Sequence, residues 1–139
     1  MSDFDEIARL AAMLEERAMQ SLRTAKQEGD SIRARIAGID EMRTRAREEA
    51  CQLDARQLIG ADALWQDWLL RERAGLRRQE AIARAREEQT RDVARDAFAR
   101  REAAERLVAE ERAGRRARVF KRDADVLDAL GILRNSDRD

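Results

Sequence analysis

An all-α fold, specifically an elongated antiparallel two-helix coiled-coil hairpin, is predicted by three observations. The 139 residues include no proline, 42% of them are charged, and small or apolar residues recur at three- and four-residue steps on both sides of a single candidate break. Proline is the strongest helix breaker, so its absence leaves few points of interruption. Ordinary globular domains carry roughly 25% charge, so this chain is too polar to wrap around a compact core. Ala, Glu, Arg and Leu dominate it, as they do in coiled coils and long helices.

Helix one is expected over about 3–57. Ser2-Asp3-Phe4-Asp5-Glu6 supplies a capping side chain and early carboxylates that suit the positive end of a helix dipole. From there Phe4, Ile7, Ala11, Leu14, Ala18, Leu22, Ala25, Gly29, Ile32, Ile36, Ile39, Ala46, Ala50 and Leu53 follow a heptad seam. Two successive four-residue steps at Leu14, Ala18 and Leu22 read as a stutter, which relaxes a supercoil locally. Arg43 takes the seam place between Ile39 and Ala46, with Met42 beside it as a partial filler. Many of these residues are small, so burial and stability should be modest.

The turn is expected at about 58–62, where Gly60 suits the left-handed conformation that follows many helix ends and Asp62 is a natural cap for the next helix. Helix two should then run over about 62–130 and stop at Gly131, with 131–139 as a frayed tail. Its seam is sparser: Leu58, Trp65, Leu69, Leu76, Ala83, Val93, Ala97, Ala104 and Val108, interrupted by Glu72 and Arg101. Acidic residues four places before arginines, as in Asp67/Arg71, Glu80/Arg84 and Glu111/Arg115, add helical support. A helix of roughly fifty-five residues would be about 80 Å long at 1.5 Å per residue, and the last turns of helix two can project past the start of helix one. A parallel dimer of the whole chain and an isolated charged helix are the rival architectures; Gly60 argues against the first, the Ile32, Ile36, Ile39 seam against the second.

The same composition excludes function classes. With no histidine, the usual zinc and haem sites and any histidine-assisted nucleophile are not expected, and no glycine-rich phosphate loop is present. The chain reads as non-enzymatic and without a cofactor. Cys51 stands alone and reads as a small packing residue near the seam. No long apolar run or cationic leader suggests membrane insertion or secretion, so a cytoplasmic location is expected.

Three surface features remain. Trp65 and Trp68, with Leu64, Leu69 and Leu70, put more apolar bulk around one helical turn than one partner helix can cover. They read either as a partner anchor or as a seal on the hairpin end. Arg112, Arg115, Arg116, Arg118, Lys121 and Arg122 form a basic cluster around Val119 and Phe120. The 29 basic and 29 acidic residues of the whole chain cancel, and Asp123, Asp125 and Asp128 follow the cluster at once. Nucleic acid is therefore not the expected partner; an acidic protein surface fits better, and a merely solvated face is the alternative. Val126, Leu127, Leu130, Ile132 and Leu133 either form a docking element or fold back on Phe4 and Ile7.

Taken together, the chain length, the break before residue 62, the segment Ala63-Leu64-Trp65-Gln66-Asp67-Trp68-Leu69-Leu70 and the basic-ended helix from Glu102 to Arg122 resemble the FliJ/YscO family of flagellar and type III secretion export stalks. In that family two aromatics three residues apart, followed by leucine, open the second helix; Trp65, Trp68 and Leu69 match, with tryptophan where tyrosine or phenylalanine is more usual. The resemblance implies an antiparallel coiled-coil stalk that enters and stimulates a hexameric export ATPase and bridges it to the cytoplasmic part of the membrane-embedded export gate. Export chaperones are further implied partners, and the protein would be cytoplasmic and peripherally attached to the export apparatus. On that reading the terminal end, with its basic cluster, meets the ATPase, and the turn, with its tryptophans, faces the gate. The alternative is a generic coiled-coil scaffold or adaptor, dimeric or not.

Overall fold

The Ser2 hydroxyl accepts a hydrogen bond from the Asp5 N–H at 3.3 Å, and the Asp5 carboxylate accepts one from the Ser2 N–H at the same distance. This reciprocal cap satisfies two donors that an opening helix leaves without partners. The Ser2 backbone N–H, then its hydroxyl and the Arg112 guanidinium, hold the Asp5 carboxyl below its ordinary pKa. From this cap the computed structural model runs as two helices, α1 (Asp3–Gln52) and α2 (Ala55–Ser136). It describes residues 2–52 and 55–138, without the side chains of 52 and 55–59. The expectation of an all-α chain with two long helices holds among these residues.

The break does not fall where it was expected. Residues 58–62 lie inside α2, so Gly60 ends no helix and Asp62 begins none, and no described glycine has a positive φ. Gly131 likewise fails to stop α2, which continues to Ser136. A glycine inside a helix costs only about 1 kcal/mol relative to alanine, too little to break a chain of strong helix formers that holds no proline. At the new end, the Ser136 hydroxyl donates to the Leu133 carbonyl at 2.8 Å. Leu53, read as the last seam residue of helix one, lies outside the described residues, as does the side chain of Leu58.

Contacts divide the chain into two units, one comprising Met1–Glu15 with Ala97–Asp139 and the other Glu16–Asp96. In the first, α1 and α2 segments run antiparallel: Arg112 reaches Asp5 at 3.3 Å, and ten residues further along α1 Glu15 pairs with Arg101. Ala11, Ala97 and Ala104 are buried between the segments. In the second unit the order is antiparallel as well: Arg86 lies 3.6 Å from Glu28, and twelve residues further along α1 Asp40 takes Arg73, thirteen residues earlier in α2, at 2.7 Å, while Arg33 reaches Glu87 at 3.0 Å. Leu22, Ala25, Ile36, Leu69, Leu76 and Ala83 form its apolar core.

The residues that turn inward differ from those expected in a consistent way. Ala8 and Glu15, not Ile7 and Leu14, are the sheltered positions near the start of α1, and Ile7 and Leu14 are exposed. The places 8, 11, 15, 18, 22, 25, 29, 32, 36, 39, 43, 46 and 50, all sheltered, therefore alternate three- and four-residue steps without a stutter, and Asp5, Arg33, Gly38 and Asp40 are half-buried as well. In α2 the places 62, 66, 69, 73, 76, 80, 83, 87, 90, 94, 97, 101, 104 and 108 are sheltered at the same steps, with Gly75, Glu102, Glu111 and Gly114 half-buried as well, so Gln66, Arg73 and Ala94 stand where Trp65, Glu72 and Val93 were expected. Trp65, Glu72 and Val93 are exposed. Arg43 and Arg101 do occupy seam places, but Met42 stays exposed and fills no gap. Many seam places hold small residues, and the bulkier Trp65 and Val93 stand on the flanks. Long charged side chains suit the vacated seam places because their stems bury while their heads reach the edge.

Candidate interaction surfaces

The tryptophans sit three residues apart on α2 and so share a face. Their rings stack with centroids 5.2 Å apart and an interplanar angle of 12°. Trp65 is 45% exposed and Trp68 49%, so neither is sealed into the core of its unit. Leu64 and Leu70 on either side are exposed too. Leu69, which the sequence grouped with them, is 0% exposed and belongs to the core. The patch is thus two stacked indoles with a water-facing side, held on a turn of helix that Leu69 anchors from beneath.

The basic cluster lies where α2 outruns its partner. Asp5 pairs with Arg112, and α1 begins only two residues before Asp5, so the following part of α2 has no α1 segment opposite it. Every described residue from Arg115 onward is exposed except Ala124. Arg112 and Arg115 are engaged within the unit, Arg112 with Asp5 and Arg115 with Glu111 at 2.7 Å. Arg118, Lys121 and Arg122 line one shallow surface with Asp125, Val126 and Ala129. Phe120, inside the cluster, is 78% exposed. Val126, Leu127, Leu130, Ile132 and Leu133 are exposed as well, so they do not fold back on Phe4 and Ile7. Cys51, expected to pack, is exposed.

Sequence reasoning missed the polar side chains inside the pairing surface. Glu80 is only 8% exposed and accepts hydrogen bonds from Arg77 at 3.2 Å and Arg84 at 3.3 Å, both on its own helix. Arg33 bridges Asp30 and Glu87, which raise its pKa, Asp30 acting most strongly. Asp40 takes Arg73 at 2.7 Å and Arg43 at 3.8 Å, and the Arg73 hydrogen bond is the main cause of its lowered pKa. At Gly29 the Glu87 carboxylate and the Arg33 guanidinium occupy the space that a Cβ would need. Of these contacts Arg33–Glu87 and Arg73–Asp40 join α1 to α2 and favour one register of the two helices, whereas the Glu80 pairs lie within α2. The signal was present as charged residues at seam places 73, 80 and 87 and beside the seam at 33 and 40, but it is visible only once the register is known.

Among the described residues no group of three or more acidic or cysteine side chains is placed to hold a metal ion, and no helix is long and apolar enough to cross a membrane. Comparison with protein-family models, with curated proteins and with solved structures finds no match.

Proposed function

We propose that the chain is a non-enzymatic stalk of a flagellar or type III protein export apparatus, its helices paired as an antiparallel coiled-coil hairpin. It enters and stimulates the hexameric export ATPase and bridges it to the export gate. The carrying observation is the reach of α2, which extends past the Asp5–Arg112 pair to Ser136 as an exposed helix bearing the basic cluster and Phe120. A solitary helical end with charge and apolar surface suits insertion into a ring of subunits, where contacts on several sides replace the missing α1 segment. The stacked tryptophans offer a second, separate contact of the kind enriched at binding hot spots. They are assigned to the cytoplasmic part of the gate, and export chaperones are further partners. The protein so placed is cytoplasmic and peripheral to the membrane.

Co-purification tests this reading. The tagged chain, expressed in its own host, should retain a hexameric ATPase of the export class. Recovery without any such ATPase, from cells that produce one, would move the chain to the class of generic helical scaffolds.

A further inference from the structure

In the unit Glu16–Asp96, residues that stand one place before a seam residue line one flank of the paired helices. Glu28, before Gly29, and Arg86, before Glu87, meet on that flank at 3.6 Å. Steps of seven from this pair, forward in α1 and backward in α2, set Arg35 level with Gln79, Met42 with Glu72 and Glu49 with Trp65. Met42, Glu49, Trp65 and Glu72 are all exposed. Trp68 joins them through its stack with Trp65 and stands one turn before Glu72. Glu49 and Glu72 make no ion pair among the described residues, and the cations nearby are engaged: Arg45 with Glu41 at 2.7 Å, Arg71 with Asp67, and Arg73 with Asp40 at 2.7 Å. The next cation along the flank, Arg35, stands two turns before Met42.

The chain completes a similar arrangement once with its own residues. Phe98 and Glu105 stand seven places apart, and Arg101 between them lies over the Phe98 ring, 5.2 Å from its centroid. The same guanidinium pairs with Glu105 at 2.7 Å and with Glu15 of α1. Trp65 and Glu72 stand seven places apart too, with Glu49 of α1 on their flank, but Trp68 holds the place of the arginine. We propose that this flank docks a cationic protein segment, whose arginine lies over an exposed indole face and pairs with Glu49 or Glu72. A guanidinium is planar, so it stacks on an aromatic face while its N–H groups reach a carboxylate. Apolar residues of the segment rest on Met42, an adaptable surface for them. The two carboxylates oppose any phosphate-bearing partner, which selects a protein. The inference rests on the gate reading only for the identity of that protein.

Trp65 and Trp68 are the only tryptophans and the chain has no tyrosine, so its indole emission reports this flank alone. The probe is an amphipathic helical peptide carrying arginines along one face and leucines along the other, together with the same peptide bearing citrulline, an uncharged isostere, for each arginine. Titration of the full-length chain with the arginine peptide should change the emission saturably, and binding should weaken as salt is added. The citrulline peptide should have no such effect. Glu49→Gln and Glu72→Gln should each raise the dissociation constant by roughly 5-fold, and both together by more. Glu88→Gln, exposed but one place after a seam residue and so off this flank, should leave it unchanged. All three exchanged side chains face solvent, so circular dichroism should not alter. No saturable response, an equal response to the two peptides, or a double variant that binds like Glu88→Gln would each overturn the proposal. No gate protein or ATPase takes part, so a negative result leaves the export reading to its own test. Peptide binding by a chain that retains no export ATPase would keep this surface and set that reading aside.

Discussion

A leucine with no exposed surface sits one residue from a half-exposed tryptophan, and that contrast separates core from surface at this turn of α2. Leu69 fills a seam place, whereas Trp65 and Trp68 lie on the flank and shelter chiefly each other. Leu69→Ala should therefore cost about 2–5 kcal/mol of stability, as large-to-small changes in a core do. Trp65→Ala or Trp68→Ala should cost about 1 kcal/mol or less, the worth of an aromatic pair, while weakening partner binding by about 2 kcal/mol. Urea unfolding and a binding assay of the same three variants decide it. Tryptophan variants that unfold as easily as Leu69→Ala would make the pair part of the core. Residue identity alone favoured Trp65 and Val93 as inward residues because they are the larger apolar side chains. The molecule instead shelters Gln66 and Ala94, which keep the regular three- and four-residue steps of the seam.

At the scale of the helices, periodicity, composition and the Ser2 cap made the two long elements legible, and the elements are there. Their boundaries were less so. Gly60 and Gly131 carry the sequence signature of helix ends, yet their cost is about 1 kcal/mol each and the neighbouring residues outweigh it. The inward face was half legible: Ala11, Leu22, Ile36, Leu76 and Ala83 were identified, while Glu15, Arg73, Glu80 and Glu87 were not, because charge ordinarily signals a solvated face. Two glycines of α1 test how that charged seam acts. Nothing stands within 4 Å of a Cβ at Gly38, so Gly38→Ala should stabilise by about 0.5–1 kcal/mol through helix propensity. Gly29→Ala gains the same propensity but displaces Glu87 and Arg33, so its net effect should be smaller or reversed. Thermal melts of both variants check this. An equal rise in Tm for the two would show that the Gly29–Glu87–Arg33 contact contributes nothing to the pairing of the helices.

For the molecule as a whole, the candidate surfaces were only partly legible. The basic cluster was read from the residues themselves, but the exposure of Phe120 and of the residues from Val126 to Leu133 follows from where α1 begins opposite α2. Which surface is free depends on register, and register depends on pairs far apart in the chain. The functional account rests on that free end of α2 as the part that engages a hexameric ATPase. Hydrolysis of ATP by the export ATPase of the same organism, measured with and without this chain at two salt concentrations, tests it most directly. The chain should raise the rate. The variant with Arg112, Arg115, Arg116 and Arg118 all replaced by glutamine keeps good helix formers, so it should fold but stimulate less, with the deficit largest at low salt, where charge steering is least screened. Equal stimulation by both proteins at both salt concentrations would remove the cluster from the mechanism. No stimulation by either would contradict the account.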